Sequence, residues 1–149
     1  MDAATAQLLD IEAIKQLKAR YFRHLDLKEW DQWRDVFTED VAVDTDGYTF
    51  ASRDEFADML SSILVDVRTT HHGFMPEITI TGPDTATGIW AMRDHLVFPS
   101  DGPPIGFVGY GHYHEQYVRR NGSWHIHRLT LTRLGIDPLE GGLPTTLAR

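Results

Sequence analysis

The sequence predicts an α+β fold in which three N-terminal helices pack on one face of a curved sheet of long antiparallel strands. Helical spacing of apolar residues governs the first part of the chain, and strand alternation governs most of the chain beyond Arg68. The two kinds of segment are grouped, not interleaved, which argues for helices segregated on one side of a meander and against βαβ units.

The helices come first. From Ala4 to His24, Leu8, Leu9, Ile11, Ile14, Leu17, Tyr21 and Phe22 recur at three- and four-residue spacing, and Lys15, Lys18, Arg20 and Arg23 fill the other face of an amphipathic helix. Asp26 to Phe37 continues as a second short helix with Trp30, Trp33, Val36 and Phe37 on its core side. Val41 to Asp44 is a short strand, and Asp46-Gly47 is a hairpin turn into Tyr48-Thr49-Phe50. Ser52 caps a third helix, with Glu55 completing a capping box and Phe56, Met59, Leu60, Ile63 and Leu64 as its buried stripe. Five strands succeed it, at Thr69 to Phe74, Glu77 to Thr81, Thr85 to Val97, Ile105 to Arg119 and Trp124 to Leu134. The tail beyond Gly135 carries Pro138, Gly141, Gly142 and Pro144, so residues 136–149 are expected to form an irregular arm or lid.

Composition bounds the function. A chain of 149 residues is the size of one domain, so 1–149 is read as a single unit. A formal charge of -8 with 14 basic residues opposes binding to phosphate backbones, so nucleic acid is not expected as a partner. No run approaches the ~20 apolar residues of a membrane helix, and Met1 to Thr5 does not open a secretory signal, so the expected location is cytoplasmic, without a membrane partner. The absence of cysteine removes thiol nucleophiles, thiolate metal sites and disulfides, which leaves His, Asp, Glu, Tyr and Arg for any catalysis.

Several residues are candidates for that chemistry. Asp26, at the joint of two helices, serves either as an N-cap for the Trp30 helix or as a carboxylate facing a pocket, where it would hold a histidine in one tautomer. His71 and His72 are adjacent on a strand and point to opposite faces, so at most one enters a pocket. Alternation puts Trp90, Met92, Asp94 and Leu96 on one face, and a carboxylate among apolar neighbours is costly unless paired or protonated. Gly111, Tyr113, Glu115 and Tyr117 share a side on which small residues beside tyrosines fit a cavity wall. Tyr21, five residues before Asp26, either packs in the core with its hydroxyl satisfied or reaches the same space across the helix end. His112/His114 and His125/His127 have same-face spacing for a metal, but no third ligand can be placed, and none is expected.

These residues resemble the snoaL-like branch of the nuclear-transport-factor-2-like superfamily, which includes scytalone dehydratase, a bile-acid dehydratase and hexachlorocyclohexane dehydrochlorinase. The resemblance runs from about residue 8 to residue 134. It rests on Arg20 through Asp26 followed by Trp30 and by Val36-Phe37-Thr38-Glu39-Asp40. His71 leading into Glu77-Ile78-Thr79-Ile80, Asp84 through Gly88, and Tyr117 through Asn121-Gly122-Ser123-Trp124 complete it. It implies a cone-shaped antiparallel or mixed sheet that, with the three helices, encloses an apolar pocket. It also implies an Asp26 and His71 acid/base pair, which selects His71 over His72, with Tyr21 and Asp94 as assisting groups. Where scytalone dehydratase has a second histidine this chain has Leu96, with His95 beside it on the other face.

The expected activity is cofactor-free dehydration of a small hydrophobic, polyketide- or steroid-like molecule. His71 would remove a proton beside an electron-withdrawing group, and Tyr21, Asp94 or Tyr113 would assist departure of hydroxide or stabilise an enolate. Trp30, Tyr48, His72, Trp90, Met92 and Gly111 are the remaining residues expected to line the substrate pocket. Isomerisation or polyketide cyclisation in the same pocket, or binding without chemistry, are the alternatives. A homodimer or homotrimer is expected.

Overall fold

The computed structural model describes residues 1–145. Helix α1 (Ala3–Asp26) is followed by α2 (Trp30–Arg34), strands β1 (Phe37–Thr45) and β2 (Tyr48–Phe50), helix α3 (Arg53–Ile63), and four long strands, β3 (Arg68–Gly82), β4 (Thr85–Phe98), β5 (Ile105–Arg120) and β6 (Ser123–Pro138). The six strands form one open sheet in the order β2-β1-β6-β5-β4-β3. Only β1 and β6 run parallel, so the sheet is mixed. The core lies between the helices and the inner face of the sheet, where Trp33, Phe37, Phe56, Ile126 and Leu129 are buried around Ile14, Leu17 and Leu25.

Local chemistry explains the element ends. Asp2 accepts from the Thr5 amide at 2.9 Å and starts α1. Ser52 accepts from the Glu55 amide at 3.2 Å and starts α3. Asp46 and Gly47, both at positive φ, make the tight turn between β1 and β2.

Four expectations change. The second helix is confined to Trp30–Arg34, because α1 extends through Asp26 and Lys28 breaks the chain with φ 60°. Phe37 already belongs to β1, paired with Ile126. Thr69 to Phe74 and Glu77 to Thr81 are one strand, interrupted by a register shift between Phe74 and Glu77, where Pro76 lacks an N–H for the ladder. On α1 the buried stripe is Ile14, Leu17, Lys18, Tyr21 and Leu25. Leu8 and Leu9 lie six and five residues before Ile14, about 120–140° around the helix, and are exposed. Lys18 is four residues after Ile14 and falls on the stripe, the reverse of its expected place. In the tail, β6 continues to Pro138, residues 139–145 have no helix or strand, and 146–149 lie outside the described residues.

Candidate active site

The last residue of α1 and the start of β3 meet at one carboxylate. Asp26 Oδ2 accepts the His71 backbone N–H at 2.8 Å, and Oδ1 accepts from Thr69 Oγ1 at 2.9 Å and lies 2.7 Å from His71 Nδ1. Asp26 is therefore not a helix cap, and the N-cap position of α2 is Glu29. The His71 side chain is 9% exposed and that of Asp26 22%. An ionised carboxylate only accepts, so against a charged Asp26 this contact is one in which His71 Nδ1 donates.

His71 lines a cavity whose other walls are mainly Leu25, Phe56, Leu96, Phe107, Leu129 and Leu131. Its volume of about 120 Å³ is on the order of the ~150 Å³ that admits a benzene-sized guest. Met59, Leu60 and Ile63 of α3 line it too, so the first two are only partly buried and Ile63 is exposed, instead of forming a closed core stripe.

The polar groups in this apolar wall are few and paired. Asp94, set opposite His71 in the β3–β4 register, is bound by Arg133 through two bonds of 2.7 and 2.9 Å. Arg133 also reaches Asp46 in the β1–β2 turn at 2.9 and 3.1 Å. Burial works against the Arg133 charge, but bonds to the two carboxylates outweigh it and hold the guanidinium more firmly protonated than usual. Asp94 is thus tied to a cation. Gly109 makes room for this pair, since a Cβ there would overlap Arg133 Nη1 and Asp94 Oδ1. Gly109→Ala is expected to cost about 1–3 kcal/mol through overpacking, seen as a lower thermal midpoint. An unchanged midpoint would mean that the ion pair shifts without cost.

Tyr21 and Tyr113 also line the cavity, both buried, with ring centroids 5.9 Å apart. Burial raises the Tyr21 phenol, the Glu115 charge adds to that, and the Tyr113 hydroxyl opposes it. Burial likewise raises Tyr113, with neighbouring Tyr21 and Asp94 adding to it. Both phenols remain protonated donors at neutral pH. Behind them lies an enclosed polar chain: Lys18 Nζ sits 3.6 Å from the Tyr21 ring centre and 3.8 Å from that of Tyr113, and pairs with Glu115. Glu115 accepts from Tyr117 Oη at 2.5 Å, which accepts from Trp90 Nε1 at 2.9 Å.

Of the residues singled out from sequence, Asp26 and His71 are in contact, and Tyr21, Asp94, Tyr113 and Tyr48 share the cavity with His71. Trp30 instead packs edge-on against Trp33, Trp90 and Met92 are core, and Gly111 sits against the Thr132 carbonyl at a register shift. His72 is exposed and pairs with Arg93 on the opposite face of the sheet, where His95 also lies. No group of three or more His, Cys, Asp or Glu side chains positioned for a metal occurs among the described residues. Thr69, Arg133, Lys18 and Lys28 join the site without having been expected there. Thr69 precedes His71 by two residues, and Arg133 continues the inward alternation of Leu129 and Leu131, a signal present in the sequence.

A probable cyclase of Gibberella zeae is 25% identical over 133 residues, covering 81% of this chain and 89% of that protein. The crystal structure of a scytalone dehydratase-like protein from Novosphingobium aromaticivorans superposes with a TM-score of 0.83 at 21% identity, covering 98% of both chains. A type 3 hexachlorocyclohexane dehydrochlorinase from Novosphingobium barchaimii gives 0.81 at 17% identity, covering 96% of this chain and 99% of that one. At such identities the two structures establish the shared cone-shaped α+β fold. The family model described as "SnoaL-like domain" matches residues 6–130, and the chain belongs to that family.

Proposed function

We propose that the protein is a lyase of the dehydratase type that acts on a small hydrophobic, polyketide- or steroid-like substrate by general acid/base catalysis. The observation that carries this reading is the 2.7 Å contact between Asp26 and His71 Nδ1 at the wall of an apolar cavity. His71 Nε2 takes a proton from carbon beside a carbonyl, and the electron pair moves onto the carbonyl oxygen. The protonated Tyr21 and Tyr113 hydroxyls and the Arg133 guanidinium supply donors and positive charge for that oxygen. Collapse of the enolate then expels hydroxide from the neighbouring carbon. The imidazolium, whose charge Asp26 balances, returns the proton to it as water. Asp94 acts through Arg133, which it orients, and Tyr48 shapes the mouth.

The test is incubation with a panel of hydroxylated ring ketones, followed by mass spectrometry. Loss of one water, abolished in His71→Ala, supports the reading; binding of these compounds with no conversion by the wild type overturns it. Ring closure without loss of water is a second reading, favoured by the cyclase relative, and would appear as a product of unchanged mass.

We also propose that two or three copies associate through the outward face of the sheet. Four strands at ~4.8 Å spacing over twelve residues of ~3.3 Å give roughly 760 Å², close to the ~800 Å² that each partner of a stable complex covers. Phe74, Ile89 and Tyr110 are exposed on that face. Sedimentation equilibrium is expected to give a dimer or trimer, which Ile89→Glu shifts toward the monomer; a monomeric wild type refutes the association.

A further inference from the structure

We propose that Lys28 and Thr69 are positioning residues that fix the ring proton of His71 on Nδ1, leaving Nε2 as the base toward the cavity; the inference rests on the Asp26–His71 reading above. A continuous line of contacts carries it. Lys28 Nζ lies 2.8 Å from Thr69 Oγ1, Thr69 Oγ1 lies 2.9 Å from Asp26 Oδ1, and Asp26 Oδ1 lies 2.7 Å from His71 Nδ1.

The direction of each bond is set by the donor inventory. An ammonium has only protons to give, so Lys28 makes the Thr69 oxygen an acceptor. The single hydroxyl proton of Thr69 is then directed to Asp26. The other oxygen of Asp26 is already taken by the His71 backbone N–H at 2.8 Å. Two fixed donors converge on this carboxylate and hold it in place, so its third contact is met by a proton on His71 Nδ1. Without the Lys28 contact the Thr69 hydroxyl could turn away from Asp26, and the carboxylate would have one fixed donor fewer to hold it against the His71 ring.

The local backbone supports this role. Lys28 has φ 60°, in the left-handed region that a non-glycine residue seldom occupies. Its amide bonds the Leu25 carbonyl at 3.1 Å, and the Glu29 amide bonds that of His24 at 2.9 Å, so the turn is held from both sides. Thr69 is buried and Lys28 half-buried. Burial lowers the proton affinity of the Lys28 amine, and the Asp26 charge opposes the loss.

The experiment is long-range ¹H–¹⁵N NMR of the His71 ring in the full chain at neutral pH, which distinguishes the two tautomers. The wild type, Lys28→Arg and Thr69→Ser are expected to show only the Nδ1-protonated form. Lys28→Met and Thr69→Val are expected to show a mixture of forms. On a substrate that the wild type turns over, kcat in these two variants should fall on the order of tenfold with KM unchanged. Lys28 is half-exposed, so Lys28→Met supplies the answer if Thr69→Val does not fold. Wild-type tautomers in both variants, with Asp26→Asn altered, would overturn the relay and leave the dyad standing. An Nε2-protonated wild type would remove the dyad and the relay together.

Discussion

Lys18→Met is expected to destabilise the protein by about 3–5 kcal/mol, the usual cost of leaving one member of a buried ion pair without its partner. Lys18 and Glu115 have fully buried side chains, and among the described residues the carboxylate has only the Tyr117 hydroxyl as a further partner. For a chain of this size the loss corresponds to a midpoint lowered by roughly 6–20 °C. Lys18→Met combined with Glu115→Gln should recover most of it, since a neutral amide still accepts from Tyr117 and no charge is left unpaired. The pH dependence is a second signature. Burial pushes the Lys18 ammonium down to about 8 from its ordinary 10.5, with Glu115 opposing the shift. Between those values the unfolded chain holds more protons than the folded one, so this group adds stability as pH rises from about 8 to 10.5 and the gain is lost as pH falls through 8. Tyr21 and Tyr113, raised in the folded state, act in the opposite sense once the unfolded tyrosines ionise above about pH 10. Denaturant unfolding from pH 7 to 10 should therefore show a rise in the wild type that the double variant lacks. A Lys18→Met protein within 1 kcal/mol of wild type would mean that Glu115 is held protonated, not as a charge.

Why the sequence disclosed some of this site and not the rest is a matter of period and distance. Strand alternation alone groups Asp94 with Trp90, Met92 and Leu96, and Tyr113 with Gly111 and Glu115; the β4–β5 register then brings the two groups to one face. Choosing His71 over His72 requires the family spacing, because adjacent residues on a strand are equivalent until one face is known to be covered. Asp26 reads as readily as a cap, since the same side chain satisfies amides at a helix start, and only the arrival of Thr69 and His71 from 43 and 45 residues away decides its use. Charge assigns Lys18 to solvent, although its spacing from Ile14 and Tyr21 puts it on the buried stripe. Its partner Glu115 lies 97 residues on, beyond the reach of any local pattern. The Asp46–Arg133–Asp94 clasp is illegible for the same reason, as it joins a hairpin turn to two strands that are brought to either side of β5 only in the folded sheet.

The largest functional effects should fall on the two members of the dyad. His71→Ala removes the base and is expected to lower kcat by about 10²–10⁴, with a smaller change in KM because most of the cavity wall is apolar. Asp26→Asn keeps the size of the side chain but offers an amide where the imidazole donates. If the NH₂ group faces Nδ1, the ring must carry its proton on Nε2, the nitrogen that should receive the substrate proton. The equivalent exchange of tautomer in a serine-protease triad costs about 10⁴ in kcat, so Asp26→Asn should approach the loss seen in His71→Ala. Residues that act as a unit are strongly non-additive, and the double variant His71→Ala, Asp26→Asn should be scarcely slower than His71→Ala alone. Thermal melts of the three variants separate this from unfolding. If the two losses multiply while the fold is retained, Asp26 works on the substrate independently of His71, and the 2.7 Å contact is structural and not the source of the base.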